Sequence, residues 1–301
     1  MNSVETDVRR PAANDATESG HTGGSRPTRR ALPSPDRLIV RDTASRLGRV
    51  AWVTPGNSCL EHLHYGRIRL DATVPRAGFD CGARETGLLC LAGEGTVSVD
   101  GAAIAIGQYD GIYVPRGSRV EVATDQHLDL VEFSAEVSGS YPLQIVRYAD
   151  VERDPTLKFA TGAPNARRLL SNVFGKNVQA GRILGGFTRS DPGNWTSWPP
   201  HEHADILEEL YLFFDMPAPA FGVQFVYTDR ESPEFAQAVR DGDAVLMPAG
   251  YHPNVAIPGY SVSFVWLMAA RREVEDRRFG VVNVQGEFAA GGSGLEAANR
   301  K

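Results

Sequence analysis

The sequence predicts an all-β protein that is made of two related halves. From about residue 38 onward, short apolar runs alternate with Gly, Pro and Asp at intervals of about 8–12 residues, a pattern typical of sandwiches and closed barrels. Long helical periodicity is missing, and a short helix is predicted only for residues 233–239. Two segments of the first half also recur, in modified form, in the second half. Together these observations indicate a duplicated β-fold.

The halves match over two pairs of segments. Residues 85–91 resemble residues 209–214, with Glu85 aligned to Glu209. Residues 107–117 resemble residues 242–250. The apolar runs of the first half predict strands at residues 50–53, 66–70, 87–91, 96–99, 111–114 and 120–122.

Composition and charge exclude several classes of protein. The 301 residues carry 42% hydrophobic and 23% charged side chains, enough for a large core or two linked ones. The formal net charge of −6 is spread out without a basic stripe, so we expect no nucleic-acid partner. No apolar run reaches membrane-spanning length, and three cysteines (Cys59, Cys81 and Cys90) are an odd count that argues against a disulfide framework. We therefore expect a cytoplasmic protein without membrane association.

The two ends of the chain differ from its middle. Residues 1–36 are rich in Pro, Ser, Thr, Gly, Asp and Arg, so they cannot bury enough apolar surface to offset the entropy lost on ordering. They are predicted to be a disordered tail, and the Gly-rich residues 286–301 to be a flexible one. Between the tails we expect one domain over residues 37–150 and a second over residues 151–285.

A histidine motif in the second half indicates a metal site. His201 and His203 are two residues apart, so on an extended strand both side chains point to the same face. A carboxylate follows at the start of an apolar run, and His252 comes later, after a strand that ends in a Pro-x-Gly turn. Three imidazoles and one carboxylate from neighbouring strands suit one divalent ion such as Zn, Mn or Fe, with positions left for water or substrate.

These motifs resemble those of a known superfamily. His-x-His, a nearby Glu and a later Pro-x-Gly-x-His are similar to the metal motifs of the cupins, which are double-stranded β-helices or jelly rolls. The flanking segments resemble the 5-deoxy-glucuronate isomerases of myo-inositol catabolism and the related uronate ketol-isomerases of pectin breakdown. These segments are residues 192–203, 207–215, 222–227, 250–253 and 264–269. The resemblance is dense over residues 185–270 and implies two jelly-roll (cupin) domains in one chain.

The first domain is predicted to have no metal site. Arg119 stands where His252 stands in the second copy, and nothing near residues 75–80 is a histidine. His62 and His64 do form a His-x-His on a predicted strand. Since no ligand carboxylate and no Pro-x-Gly-x-His follow at matching distances, this pair is interpreted as packing or surface residues.

Spacing does not decide which carboxylate is the metal ligand. Glu208 gives the commoner cupin loop length, whereas Glu209 aligns the whole following strand with the isomerases. Because successive side chains of a strand face opposite sides, only one of the two can point inward with the histidines. We favour Glu209 as the ligand, which leaves Glu208 as an outer or solvent-facing acid and one candidate for the catalytic base.

Other polar residues near the motifs are expected to line the site. One tyrosine should share the inward face of Glu209 and another precedes His252, and both are candidates for catalysis. An amide on the following strand and an arginine pair, which resembles a segment of the ketol-isomerases, are candidates for binding a substrate carboxylate. These residues are Tyr211, Tyr251, Gln224, Arg167 and Arg168.

The resemblance implies an aldose–ketose isomerase that acts on a small sugar acid. The first expectation is conversion of 5-deoxy-glucuronate to 5-dehydro-2-deoxy-gluconate in inositol catabolism. Such a reaction moves a proton between adjacent carbons through an enediol, helped by a metal that polarises the carbonyl and its neighbouring hydroxyl. The base that carries the proton is left open among a hydroxide on the metal, the carboxylate of the Glu208/Glu209 pair that is not a ligand, and a tyrosine.

Two other functions fit the same ligand set. Iron-dependent dioxygenases of the cupin superfamily use three histidines and a glutamate, and a cupin that binds metal without turnover would serve as a sugar sensor. The flanking segments favour the isomerase. A shorter loop between His203 and Glu209 and a longer chain after Ala270 depart from the inositol enzymes and leave the exact uronate open. Association of copies of the chain into a homo-oligomer is also left open.

Overall fold

Antiparallel β-strands are the main regular secondary structure of residues 31–296, the part of the chain that this computed structural model describes. The tail predicted for residues 1–30 lies outside this range. None of the helices within residues 31–296 is long and apolar enough to cross a membrane. The predicted all-β, jelly-roll fold is confirmed.

The first half of the chain supplies a sandwich of two antiparallel sheets. After a 3-10 turn at Pro35–Arg37, its strands are β1 (Ile39–Val40), β2 (Gly48–Val53), β3 (His64–Asp71), β4 (Arg76–Asp80), β5 (Arg84–Gly93), β6 (Gly95–Val99), β7 (Ala102–Ile106), β8 (Gly111–Val114), β9 (Arg119–Ala123), β10 (His127–Glu136) and β11 (Gln144–Val146). Six strands pair in the order β11-β8-β5-β10-β3-β2, and four pair in the order β4-β9-β6-β7. All six strands predicted from the apolar runs are present.

The second half repeats this architecture after helix α1 (Tyr148–Arg153). Its strands are β12 (Lys158–Thr161), β13 (Arg168–Phe174), β14 (Ile183–Ser190), β15 (Trp195–Thr196), β16 (His201–Glu202), β17 (Leu207–Phe213), β18 (Gly222–Val226), β19 (Phe235–Val239), β20 (Ala244–Met247), β21 (Asn254–Ala256), β22 (Ser263–Ala270) and β23 (Asn283–Val284), followed by a 3-10 turn at Gly286–Gly291. The large sheet has the order β1-β20-β17-β22-β14-β13-β12, and it faces the sheet β15-β21-β18-β19. A separate two-stranded ribbon joins β16 to β23.

The helix predicted at residues 233–239 is wrong, because this segment contains strand β19. It pairs with β18 over five residues, from Val226 opposite Phe235 to Gly222 opposite Val239. Phe235 and Val239 are both buried, and a spacing of four residues places two side chains on one face of a strand as well as of a helix. The pairing with β18 decides between the two structures.

A large apolar core lies between the two halves. Alternate residues of the big sheets point into their own sandwich, and the residues between them point at the other half. Tyr65 and Phe133 of the first half meet Leu210 and Leu267 of the second in this core. The two sandwiches are therefore packed together through the outer faces of their large sheets.

The first described residues cross over to the second half. Strand β1 pairs with β20, and Leu38, which is fully buried, lies in the core of the second sandwich. The Thr43 hydroxyl donates a hydrogen bond to the carbonyl of Gly242 at 2.7 Å. The stretch that was expected to open the first domain therefore begins on the sheet of the second.

The register of the strands shows how the halves correspond. Thr86 of β5 pairs with the residue just before the Pro-x-Gly turn that follows β8, and Glu209 of β17 has the same position relative to β20. Thr86 is therefore the counterpart of Glu209, and Glu85 is the counterpart of Glu208. The sequence alignment of Glu85 with Glu209 was wrong by one residue, because apolar residues occur on both faces of these strands and hide the alternation.

Candidate metal and substrate site

Three short pieces of backbone bring the metal-ligand candidates together inside the second sandwich. His201 begins β16, and His203 follows directly after this strand. Glu209 is the third residue of β17, on the face that points into the sandwich, and His252 follows the turn after β20. All four side chains are buried.

One carboxylate oxygen lies at the centre of this group. Glu209 Oε2 is 3.0 Å from His203 Nε2 and 3.2 Å from His252 Nε2. The His201 ring centroid is 5.1 Å from that of His252 and 6.4 Å from that of His203. Within residues 31–296, His203, Glu209 and His252 form the one group of histidine, cysteine and acidic side chains whose ligand atoms are close enough to share an ion, with His201 just outside it.

The backbone fixes the orientation of each imidazole. The Nδ1–H groups of His201 and His252 donate to the carbonyls of Pro199 and Gly250, both at 2.9 Å. Nδ1 of His203 makes a longer contact, 3.4 Å, with the carbonyl of Leu207. A backbone partner on Nδ1 selects the tautomer that leaves the Nε2 lone pair available to a metal.

Burial and mutual contacts shift the pKa values of this group. Burial, with His252 nearby, lowers the pKa of His201 to about 3, so its imidazole is neutral. Burial also disfavours the imidazolium of His203, but the hydrogen bond and charge of Glu209 outweigh this and raise its pKa. Burial alone would raise the pKa of Glu209, but the hydrogen bonds and charges of His203 and His252 lower it to about 2. The carboxylate is therefore ionised, as a metal ligand must be.

The donor set fits a divalent metal ion. Oε1 of Glu209 is buried and has no hydrogen-bond partner among the described residues, although its other oxygen is shared by two imidazoles. Leaving a buried carboxylate oxygen unpaired is costly unless a cation satisfies it. Imidazole nitrogens and one carboxylate oxygen are the ligands that Zn, Mn and Fe accept.

A cleft opens beside this group. It has an empty volume of about 360 Å³, which includes space open to solvent. Its lining includes the sandwich residues His201, Glu209 and Tyr211. Phe279 and Leu295, from the segment that follows β22, also line it.

Arg168 lies in the same cleft. Its side chain is 3% exposed, and its Nη1 donates to the carbonyl of Ala166 at 3.0 Å. Its Nη2 is buried and makes no hydrogen bond within the described part of the chain. Burial lowers the pKa of Arg168 to about 10, with the nearby Tyr211 and Glu296 opposing the shift, so the guanidinium stays charged. A buried cation with free N–H groups is suited to a ligand carboxylate.

Tyr211 faces the histidines. Its ring centroid is 5.7 Å from that of His252, and its hydroxyl is hydrogen-bonded to Ser197 Oγ at 2.8 Å. Burial raises the pKa of Tyr211 well above its ordinary value, so the hydroxyl keeps its proton. A protonated phenol in this position can donate to an oxygen of a bound ligand.

The KduI/IolB family model matches residues 38–283, which is most of the chain. The chain belongs to the KduI/IolB family. Its resemblance to the uronate isomerases is thereby confirmed.

Several relatives make the family resemblance concrete. The 5-deoxy-glucuronate isomerase of Geobacillus thermodenitrificans is 34% identical over 165 residues, which are 52% of this chain and 58% of that protein. The chain thus aligns with a little over half of the length of this relative. The 4-deoxy-L-threo-5-hexosulose-uronate ketol-isomerase of Bacillus pumilus is 29% identical over 67% of this chain and 73% of that protein. The crystal structure of an IolB-like protein from Salmonella typhimurium LT2 has a TM-score of 0.75 and 25% identity, and covers 84% of this chain and 98% of that one.

In this KduI/IolB family member, two catalytic candidates do not lie at the cleft. Glu208 faces the first sandwich, where its carboxylate accepts hydrogen bonds from three backbone N–H groups. It is fully buried, so the alternative of a solvent-facing acid is also wrong. Tyr251 pairs with Tyr227, its ring 5.7 Å from the Tyr227 ring, because it alternates with His252 and points to the other face.

Of the three substrate-binding candidates, Arg168 lines the cleft and the other two do not. Arg167 is largely exposed and lies 3.7 Å from Asp191, since it is adjacent to Arg168 and faces the opposite side. Gln224 is buried but does not line the cleft, and its Nε2 donates to the carbonyls of His252 and Phe225 at 2.9 and 2.8 Å. Gln224 therefore holds the backbone of a metal-ligand candidate in place.

Sequence reasoning missed several residues of the site. Ser197, which holds Tyr211, belongs to the segment before His201 and could have been found there as a polar residue among the tryptophans. Phe279 and Leu295 gave no such signal, because they lie in a charged segment and a Gly-rich segment. The flexible tail predicted at residues 286–301 is described as far as residue 296, and Leu295 within it is 7% exposed.

Proposed function

We propose that this protein is a metal-dependent aldose–ketose isomerase of a deoxy-uronic acid. The observation that carries the proposal is that the histidine–glutamate group and Arg168 face one cleft, and that Nη2 of Arg168 has no hydrogen-bond partner among the described residues. A uronic acid has a carbonyl with adjacent hydroxyls at one end and a carboxylate at the other. These are the two functional groups that such a cleft would recognise.

The relatives favour the same substrate class. The names of those reported above refer to 5-deoxy-glucuronate and to a 4-deoxy-hexosulose-uronate, both deoxy sugars with a carboxylate. The higher identity to the first group favours 5-deoxy-glucuronate as substrate, with 5-dehydro-2-deoxy-gluconate as product, and hence a place in inositol catabolism. The protein would act on the free sugar acid.

Four residues would hold the metal ion: His201, His203, Glu209 and His252. A divalent ion in this position would polarise the carbonyl and the neighbouring hydroxyl of the substrate and so favour proton loss from carbon. The four side chains are themselves buried, which strengthens their electrostatic effect.

The other residues of the cleft have distinct tasks in this proposal. Arg168 would bind the carboxylate and fix the distance of the reacting carbons from the ligand group. Tyr211, with its raised pKa, would donate its proton in a hydrogen bond to a substrate oxygen. Glu208 faces the first sandwich, so apart from Arg168 and the metal-ligand candidates, Tyr211 is the titratable side chain lining the cleft that remains for proton transfer.

The test is a metal analysis of the purified protein followed by incubation with 5-deoxy-glucuronate, the 4-deoxy-hexosulose-uronate and glucuronate. Products are followed by NMR while oxygen uptake is recorded. We expect isomerisation without oxygen consumption, and loss of turnover on chelation that is reversed by adding one of Zn²⁺, Mn²⁺ or Fe²⁺. Oxygen uptake that depends on substrate would show a dioxygenase instead, and bound metal without turnover would show a binding protein.

The neighbouring arginines provide a matched control. We expect Arg168→Gln to raise KM for the uronate by at least about tenfold, since a charge-assisted hydrogen bond is lost. Arg167→Gln should change KM little, because this side chain is exposed and faces away. Equal effects of the two substitutions would contradict the role given to Arg168.

A further inference from the structure

The side chain of Arg271 connects the two backbone loops that carry metal-ligand candidates. Arg271 follows directly after β22. Its Nε donates to the carbonyl of Ala204 at 2.5 Å, and its Nη2 donates to the carbonyl of Pro248 at 3.2 Å. Ala204 belongs to the loop after His203, and Pro248 begins the turn that leads to His252. One guanidinium thus helps to fix the distance between the two loops.

His203 depends on its loop more than the other two histidines depend on theirs. It lies just beyond the end of β16, outside the two-stranded ribbon. Its Nδ1 is 3.4 Å from its backbone partner, the carbonyl of Leu207. Nδ1 of His201 and Nδ1 of His252 each have a backbone partner at 2.9 Å. The position of the His203 imidazole is therefore set mainly by the loop.

This loop is a closed turn that Arg271 holds along one side. The carbonyl of His203 accepts the N–H groups of Ile206 and Leu207 at 3.0 and 2.9 Å. The backbone N–H of Arg271 donates to the carbonyl of Ile206 at 2.9 Å, and its Nε binds the carbonyl of Ala204 in the same turn. Because the turn is bonded to itself, a shift of its anchored side would carry His203 with it.

The first half of the chain orients the guanidinium. Nη1 of Arg271 donates to Oε2 of Glu61 at 3.0 Å, and the arginine side chain is only 16% exposed. The backbone N–H of Glu61 also donates to Glu208 at 2.8 Å, so the position of Glu61 is fixed against the second half by a separate bond. Each of the three guanidinium nitrogens thus has a different partner, namely two carbonyls and one carboxylate.

The geometry of these bonds is one that arginine provides and lysine does not. A guanidinium is planar and directs its N–H groups along fixed directions from three nitrogens. An ammonium group is a single compact charge on a flexible chain. A lysine at position 271 could keep the ion pair with Glu61, but it could not hold the two carbonyls at the same time.

We infer that Arg271 is a positioning residue for the metal site: it holds the loops of His203 and His252 at the spacing that lets both imidazoles share an ion with Glu209. Arg271 does not line the cleft, so it acts through the ligand residues and not on the substrate. The inference rests on the metal ion of the proposed function and is independent of which uronate is the substrate.

The test measures Zn²⁺ affinity, by competition with a chelator, and the absorption spectrum of bound Co²⁺ in the full chain. Arg271→Lys keeps the positive charge but breaks the set of three hydrogen bonds. We expect Zn²⁺ affinity to fall by about tenfold or more, as for other residues that orient metal ligands. The visible bands of Co²⁺ should shift as well, because they depend on the arrangement of the ligands.

Arg272→Lys is the matched control. The Arg272 side chain is 61% exposed, and its partners are the carboxylates of Glu275 and Asp276, at 2.6 and 2.7 Å. A lysine can still form these ion pairs, so Zn²⁺ affinity and the Co²⁺ spectrum should equal those of the unchanged protein. Urea unfolding without metal is measured for each variant, which separates a loss of stability from a loss of metal affinity.

Glu61→Gln is a second variant, and it decides the matter if Arg271→Lys does not fold. It removes the ion pair that orients the guanidinium but leaves both carbonyl contacts in place. Zn²⁺ affinity should therefore fall by about threefold, as expected for the loss of a partly exposed ion pair.

Three outcomes would overturn the inference. Unchanged Zn²⁺ affinity in a folded Arg271→Lys protein would show that Arg271 has a structural role alone, and unchanged affinity in Glu61→Gln would show the same if only that variant folds. An equal loss of affinity in Arg271→Lys and Arg272→Lys would show an effect that is not specific to the loops. In each case the unchanged protein would still bind metal and isomerise a uronate, which leaves the proposed function intact. An unchanged protein that binds neither Zn²⁺ nor Co²⁺ would overturn the metal site and this inference together.

Discussion

The choice between two adjacent glutamates illustrates how side-chain direction determines chemistry at the scale of single residues. Glu208 and Glu209 are both fully buried, yet they face opposite sides of β17. Glu209 points into the sandwich and meets two imidazoles, whereas Glu208 points at the first half and meets backbone N–H groups. Their identical side chains therefore have different tasks, and substitutions should separate them.

The first prediction concerns the histidines. His201→Ala, His203→Ala and His252→Ala should each remove most of the bound metal, because each deletes a nitrogen from one small group of donors. His62→Ala and His64→Ala should keep the metal, since neither side chain belongs to that group. Metal content is measured by plasma mass spectrometry, and circular dichroism checks the fold. Metal loss in the His62 and His64 variants would place the ion in the other sandwich.

The second prediction concerns Glu209. Glu209→Gln keeps the shape of the side chain but removes its negative charge, so affinity for Zn²⁺ should fall by about tenfold or more. Glu202→Gln is the control, because this carboxylate lies between the histidines in sequence and is bonded to Asn283 and to the N–H of Ala204. Titration calorimetry with Zn²⁺ measures both. Equal affinity in the Glu209 variant and the unchanged protein would exclude Glu209 as a ligand.

At the scale of elements, the turn after β20 sets the position of His252. Gly250 has a φ of +91°, and a Cβ there would lie 2.9 Å from the carbonyl of Tyr227. The carbonyl of Gly250 also accepts the Nδ1–H of His252 at 2.9 Å. One glycine thus provides the left-handed backbone, the close approach to the next strand and the hydrogen bond that orients the imidazole.

The third prediction tests this turn with two glycines of similar conformation. Gly259→Ala should lose stability by about 1 kcal/mol because the position has positive φ, and Gly250→Ala should lose more, because its Cβ would also clash with the Tyr227 carbonyl. Only Gly250→Ala should also weaken metal binding, since a Cβ at Gly259 meets nothing within 4 Å among the described residues. Urea unfolding and Zn²⁺ titration measure the two effects. Normal Zn²⁺ affinity in Gly250→Ala would show that the site tolerates movement of this turn.

The sequence predicted the strands that are bounded by turn residues and missed the features defined by contacts. Six strands of the first half follow from apolar runs between Gly, Pro and Asp, and the choice of Glu209 follows from the alignment of its strand with the isomerases. Which of two adjacent arginines is buried does not, because it depends on where β13 enters the sheet. The packing of residues 279–296 beside the cleft could not be predicted either, since the few apolar residues of this segment are separated by glycines and charges and are buried only against the sandwich.

At the scale of the whole molecule, two buried glutamates join the halves in a nearly symmetric way. Glu208 accepts the N–H groups of residues 61, 62 and 63 at 2.8, 2.6 and 2.6 Å, just before β3 begins. Glu85, its counterpart, accepts those of residues 181, 182 and 183 at 2.8, 2.6 and 2.8 Å, where β14 begins. Each half thus holds the start of a strand of the other half. The segment that contains His62 therefore contacts the second half through its backbone N–H groups.

The fourth prediction is that Glu208→Gln and Glu85→Gln each lower the free energy of unfolding by about 2 kcal/mol or more. An amide offers one acceptor oxygen and directs its NH₂ group at a backbone N–H that then lacks a partner. Glu121→Gln is the control, since this side chain is 66% exposed. Urea unfolding is the measurement. A midpoint unchanged in both buried variants would show that these contacts do not stabilise the pairing of the halves.

The last prediction concerns the second half alone. A fragment that starts at residue 150 lacks β1, the three N–H groups that satisfy Glu208, and the whole partner surface of the core between the halves. The apolar face that includes Leu210, Val265 and Leu267 would then be exposed to water, and patches of this kind cause association. We expect the fragment to aggregate in size-exclusion chromatography. A chain that lacks only residues 1–30 should elute as a single species and convert its substrate normally, because the composition of these residues offers little apolar surface to bury. A fragment that stays monomeric and fully active would mean that the first sandwich is an independent module, and that neither the buried glutamates nor the shared core is needed to hold the site.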